Sequence, residues 1–141
     1  MNKISSLTLS YQEGRFVFAL LAGTMLHGQE SRSRNKIADM LKAKILEFEK
    51  ERMDLINKWG KKGKDGKTEE KDGKFVMTDQ KKFEEEFKEL TLTSSNFVFD
   101  ILPSNKRYFA DVKEIILNTK QEMNYADGEV YEKVCEKLEK I

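Results

Sequence analysis

One cysteine, one proline, one histidine and one tryptophan are all this 141-residue chain contains of those four residues. A lone cysteine, Cys135, excludes an internal disulfide framework and suits a reducing compartment. A single histidine, His27, leaves Cys135 as the only other soft ligand, and no motif links the two into a metal site. Excess charge of one sign is also missing, with 26 basic against 25 acidic residues and a net charge of +1. A protein held to nucleic acid mainly by phosphate neutralisation carries a clear basic surplus, so composition counts against that class. Long greasy runs are absent too. The longest, Phe16 to Leu26, is interrupted by Gly23 and Thr24 and is too short for a hydrocarbon core about 30 Å thick. Gln12, Glu13 and Arg15 directly precede it and no small-residue cleavage site follows, which is unlike a signal peptide. The expectation is a soluble protein that stays where it is made, with no membrane partner.

Charge is plentiful, at 36% of residues, and the apolar residues are periodic, which points to solvated helices and not to disorder. The length suits one domain over residues 1–141, with an exposed Gly/Lys-rich tip at 60–74. Ile4, Leu7 and Leu9 among serines and threonines predict a short strand at 3–9. Ser10 with Glu13 three residues on makes a capping box, so a helix starts near Tyr11; Gly28 is the residue expected to end it. Ile37, Leu41, Ile45, Phe48, Leu55, Ile56 and Trp59 mark one stripe of a second helix, about 30–58. Its roughly 40–45 Å exceeds the width of so small a globule, and part of it is expected to project.

Gly60, Gly63, Gly66 and Gly73 punctuate the following segment, where Lys-Asp-Gly-Lys occurs twice and the second copy favours a small hairpin. A helix at 79–90 carries Phe83, Phe87 and Leu90. A strand at 96–101 is placed to pair with 3–9, and helices follow at about 105–123 and from Asp127 or Gly128 onward. The second-last helix is expected to turn Tyr108, Val112, Ile115, Ile116 and Met123 inward. The fold class is mainly α: about five helices, one of them long and projecting, with a small antiparallel β component.

Candidate chemistry is thin. His27 beside Gly28 reads as a helix-end residue interacting with the dipole, and Cys135 as a small buried hydrophobe. Asp65, Glu69, Glu70 and Asp72 share a loop, but lysines interleave them and the calcium-loop spacing is absent. Gly60-Lys61-Lys62-Gly63-Lys64 lacks the phosphate-loop pattern and follows a helix instead of a strand. No catalytic residue, cofactor or metal is expected. Two arginines in Ser31-Arg32-Ser33-Arg34 oppose the positive end of a helix, so Arg32 and Arg34 need compensation. Acidic side chains, a second copy of the chain or phosphate would each supply it.

Aromatic residues are the remaining signal: nine phenylalanines, four tyrosines and one tryptophan. Phe16, Phe18, Trp59, Phe97, Phe99, Tyr108 and Phe109 exceed what one modest core holds comfortably. Some are ordinary core, and the sharper expectation is that several line a groove for an apolar helix.

Gly28-x-x-Ser31-Arg32-x-Arg34, the helix with Glu47-Phe48-Glu49-Lys50-Glu51-Arg52, the Lys-Asp-Gly-Lys tip and Phe83-Glu84-Glu85-Glu86-Phe87 together resemble small proteins of siphophage tail-assembly modules. The nearest likeness is to the tape-measure-protein chaperones of lactococcal-type phages. The resemblance implies a non-enzymatic, self-associating assembly factor in the infected host's cytoplasm, absent from the mature virion. Such a factor keeps the hydrophobic, helical tape measure protein soluble. It offers no catalytic residues to carry over. The alternative is a small nucleic-acid-associated phage protein using the Ser-Arg-Ser-Arg turn and the Lys/Gly tip.

Overall fold

The computed structural model describes residues 5–141. Its elements run β1 (Ser5–Ser10), α1 (Tyr11–Ala22), α2 (Gly28–Trp59), β2 (Glu70–Lys71), β3 (Lys74–Phe75), α3 (Gln80–Ser94), β4 (Asn96–Ile101), α4 (Lys106–Leu117) and α5 (Tyr125–Leu138). The protein is therefore mainly α, with five helices and two small antiparallel sheets among the described residues. Within what the sequence suggests is one domain lie two compact units. Residues up to Ile45 together with Asn96–Ile141 form the first, and Leu46–Ser95 the second. Helix α2 contributes to both.

In the first unit, β1 pairs antiparallel with β4, with Leu7 opposite Phe99 and Leu9 opposite Phe97. Side chains alternate across a strand, so these four share one face. All four are buried, whereas Ser6, Val98 and Asp100 point the other way and are exposed. The predicted pairing of the two strands is what forms; the first two residues of the 3–9 expectation lie outside the described residues. The buried face meets Val17, Leu20 and Leu21 of α1, Ile37 and Leu41 of α2, Phe109, Val112 and Ile116 of α4, and Val134 and Leu138 of α5. On α4 the inward residues are spaced three and four apart, which fixes Phe109 inside and leaves its neighbour Tyr108 half-buried.

The capping box forms as the sequence predicts. The Ser10 hydroxyl accepts the Glu13 amide (3.1 Å) and the Glu13 carboxylate accepts the Ser10 amide (2.8 Å). The same carboxylate takes Lys137 Nζ of α5 at 2.5 Å, tying the start of α1 to the last helix. Burial pushes the Glu13 carboxyl up, but the Lys137 and Ser10 bonds outweigh it and hold it below its usual 4.5. Gly14 one residue on is buried against Phe97, whose ring carbon lies 3.0 Å from where a Cβ would stand.

Helix α1 stops six residues before Gly28, at Ala22, and Gly28 instead opens α2 with φ +49°. Likewise α4 ends at Leu117, well short of residue 123, and a connection of residues 118–124 precedes α5. Asn124 caps α5 by accepting the Asp127 amide at 2.8 Å.

The second unit holds the C-terminal part of α2, the β2–β3 hairpin and α3. Asp72 (φ 53°) and Gly73 (φ 77°) both take left-handed conformations, the geometry of a tight hairpin turn. Gly60 is required by packing: a Cβ there would stand 2.3 Å from the Thr68 methyl and 2.5 Å from the Ile56 carbonyl oxygen. Trp59 Nε1 donates to Glu86 Oε2 at 2.7 Å, Lys58 Nζ reaches Glu86 Oε1 at 2.9 Å, and the Lys58 and Lys82 ammonium groups lie over the indole ring. The indole bond, then Lys58, lowers the Glu86 carboxyl from its usual value. Phe83 and Phe87 stack at 5.8 Å, and α3 buries no residue completely.

Candidate functional site

Two open grooves lie in the first unit, where α1 runs out. The last carbonyls of a helix have no partner within it, and a left-handed glycine is a common way to satisfy them. Gly23 does not serve this way, since it stays in the right-handed region at φ −86°. The Thr24 amide and hydroxyl supply part of the cap, reaching the Leu21 carbonyl at 3.2 Å and the Leu20 carbonyl at 2.8 Å, and side chains from elsewhere add to it. Arg34 of α2 donates through one guanidinium nitrogen to the Leu21 carbonyl (3.0 Å) and the Thr24 carbonyl (2.5 Å). Gln121 Nε2, from the 118–124 connection, donates to the Leu20 carbonyl (2.8 Å) and to Thr24 Oγ1 (2.9 Å). The positive guanidinium also complements the negative end of the α1 dipole.

Gln121 thereby divides a concave surface into two grooves, and it lines both. The first encloses about 510 Å³ between α1 and α5; Phe16, Ala19, Met123 and Val130 supply its apolar wall, with Gln12, Arg15, Glu122 and Asp127 around them. The second encloses about 720 Å³. Met25, Leu26 and Ile115 form its apolar part, and Glu30, Asp111, Glu114 and Lys120 stand nearby. Met25 is 96% exposed, the most exposed large apolar side chain of the described residues. Methionine is flexible and polarisable, and suits a surface that must adapt to a partner. Beneath the second groove, Ser33 is completely buried and donates to Asp111 Oδ2 at 2.5 Å, which fixes α4 against α2.

Only one of the seven aromatic residues expected to form a groove lies in it. Phe16 lines the first groove and sits 6.3 Å from the Tyr131 ring. Phe97, Phe99 and Phe109 are buried in the core of the first unit, at 3–4% exposure, and are corrected from partner-binding to structural residues. The reason is that strand alternation carries 97 and 99 inward together, while α4 turns Phe109 inward with Val112 and Ile116. Phe18 and Tyr108 are half-buried and line neither groove, and Trp59 belongs to the second unit. Arg34 is likewise corrected. Its compensation comes from backbone carbonyls of the same chain. Arg32 is exposed.

Met25, Leu26, Ile115, Gln121, Met123 and Val130 are the groove residues that the sequence did not single out for this role. Three of them fall, on the sequence reading, in helical stretches that do not form: Met25 and Leu26 at the end of α1, and Met123 on the inward face of α4.

His27 is exposed and directly precedes α2, its carbonyl accepting the Ser31 amide at 3.3 Å, so it stands at the start of α2 and not at the C-terminal end of α1. Cys135 is buried, and burial pushes its thiol pKa up. Burial and the neighbouring Cys135 also push Tyr131 up to about 12, and its hydroxyl donates to the Ile116 carbonyl at 2.7 Å. Among the described residues no group of three or more His, Cys, Asp or Glu side chains is placed to hold a metal ion. No helix among them is long and apolar enough to cross a membrane. Comparison with protein-family models, with curated proteins and with solved structures finds no match.

Proposed function

We propose that this chain is a binding protein that holds an apolar helical segment of a partner without any chemical step, as a tail-assembly chaperone holds a phage tape measure protein. The observation that carries the proposal is the pair of grooves at the end of α1. There Phe16, Met25, Leu26, Ile115, Met123 and Val130 offer apolar surface that the protein's own core leaves uncovered. An amphipathic helix laid into such a groove buries apolar area at roughly 25 cal/mol per Å², the usual source of affinity in helix-in-groove recognition. The resemblance of the Gly28–Arg34 and Lys-Asp-Gly-Lys motifs to tail-assembly proteins supplies the tape measure protein as the partner and the cytoplasm of the infected cell as the place.

Self-association belongs to the same proposal. Leu46 and Met53, two helical turns apart on α2, are 53% and 41% exposed and offer apolar surface in the second unit for a contact between copies. Linked weak sites along a long client gain effective concentration, which favours an oligomer as the working form.

Co-expression with a tape-measure fragment that is insoluble alone tests the proposal. The expected result is a soluble complex that is lost in the Met25→Asp variant, whose exposed site leaves folding intact. A fragment that precipitates equally with and without the protein refutes it, and so does solubilisation that ignores Met25. Salt-sensitive binding to DNA with no affinity for an apolar helix would favour the nucleic-acid alternative instead.

A further inference from the structure

Carboxylates and cations are unequally placed around the two grooves. Glu30, Asp111, Glu114, Glu122 and Asp127 line them, against Arg15 and Lys120, a local balance of −3 on a chain whose total is +1. Local structure accounts for some of the acids. Glu30 and Asp127 occupy the first turns of α2 and α5, where the helix dipole favours them. Asp111 accepts the Ser33 hydroxyl, and Glu114 accepts the Asn118 amide at 3.3 Å. None of these contacts neutralises a charge. The ion pairs Lys58–Glu86, Lys61–Glu69 and Lys137–Glu13 involve other acids, and none of the five groove carboxylates is paired with a cation of the described residues.

Resting on the helix-binding reading above, we propose that the segment docked over Gln121 is an amphipathic helix with a cationic flank. Its apolar stripe meets Phe16, Met25 and Ile115, and its lysines or arginines meet the acidic rim. Rim charges act mainly on encounter rate, orientation and choice of partner, and salt screens them. A like-charged flank would be rejected by the same rim, which gives the groove a way to discriminate among apolar helices. A second copy of this chain is a poorer occupant, because the regular apolar stripe of α2 is already largely buried through Ile37, Leu41, Ile45, Phe48 and Ile56.

Three labelled helical peptides that share one apolar stripe, with flanks of lysine, glutamine or glutamate, test this by fluorescence anisotropy with the full-length protein. At low salt the lysine peptide is expected to bind about tenfold more tightly than the glutamate peptide, and the gap should narrow as salt rises. Glu114→Gln combined with Glu122→Gln, both exposed positions, should close most of the gap, and Met25→Asp should weaken binding of the glutamine peptide. Equal affinity of the three peptides overturns the cationic-flank inference and leaves the groove reading standing. Tighter binding of the glutamate peptide also overturns it. Failure of all three to bind overturns the groove reading itself.

Discussion

Replacing Arg34 by alanine separates two accounts of the Ser-Arg-Ser-Arg turn. If the arginine serves a subunit contact or phosphate, its loss leaves the isolated protein as stable as before. The structure instead spends it on the Leu21 and Thr24 carbonyls. Hydrogen bonds from a charged donor contribute about 1.5–3 kcal/mol each. The full sum is not at stake, because the Leu21 carbonyl also accepts the Thr24 amide at 3.2 Å and Arg34 is only half-buried. The Thr24 carbonyl, by contrast, loses the donor that fixes the 23–27 connection. A net loss of about 2 kcal/mol is therefore expected, a fall in Tm of roughly 6–10 °C for a chain of this size. Thermal unfolding followed by far-ultraviolet circular dichroism, with Arg32→Ala as the control, measures it. Arg34→Lys should fall between, since an ammonium keeps the charge but not the planar fork. An Arg34→Ala protein that melts within a degree or two of wild type would refute the capping role, and with it the account of how Met25 and Leu26 are held at the groove.

Glu13→Gln should lower stability at neutral pH and alter its pH dependence. The folded carboxyl lies below 4.5, so its contribution is complete above that pH and is lost as pH falls through the folded value; the gap between wild type and variant should close on acidification, as denaturant titration at several pH values will show. Phe97→Ala should cost about 3–5 kcal/mol in the same titration, because it opens a cavity beneath Gly14; undiminished stability with lost partner binding would instead restore Phe97 to an interface. Glu86→Ala should change the emission of Trp59, the only tryptophan, by removing the acceptor of its indole N–H; an unchanged spectrum would refute that bond.

Much of the architecture was legible because it is written locally. The capping box at Ser10 and Glu13, the alternation in 96–101, the Asp72-Gly73 turn and the stripe along α2 each need only a few neighbours to be recognised. The two helix ends were not. Phe16 to Leu26 reads as one apolar helix up to Gly28, yet the helix ends at Ala22, where Arg34 and Gln121 from other elements bind its last carbonyls. The candidate site was obscured for the same reason. Met25, Leu26, Gln121 and Met123 lie on the connections after α1 and α4, so Met25, Leu26 and Met123 read as helix interior, while Phe16, Ile115 and Val130 stay on α1, α4 and α5. The aromatic count, for its part, mistook Phe97, Phe99 and Phe109 for excess. Strands β1 and β4, 86 residues apart from Ser10 to Asn96, close over helices from both ends of the chain, and that core admits more rings than a count can foresee.

Two of the four residues that occur once are divided between the units: Trp59 in the segment from Leu46 to Ser95, and Cys135 in the other. A thiol-reactive dye added to the native protein therefore reports opening of one half, since the sulfhydryl is shielded until that half loosens. Intrinsic fluorescence reports the other. Wild-type material thus comes with two independent gauges, and whether the halves melt together or in sequence can be read without introducing a single substitution.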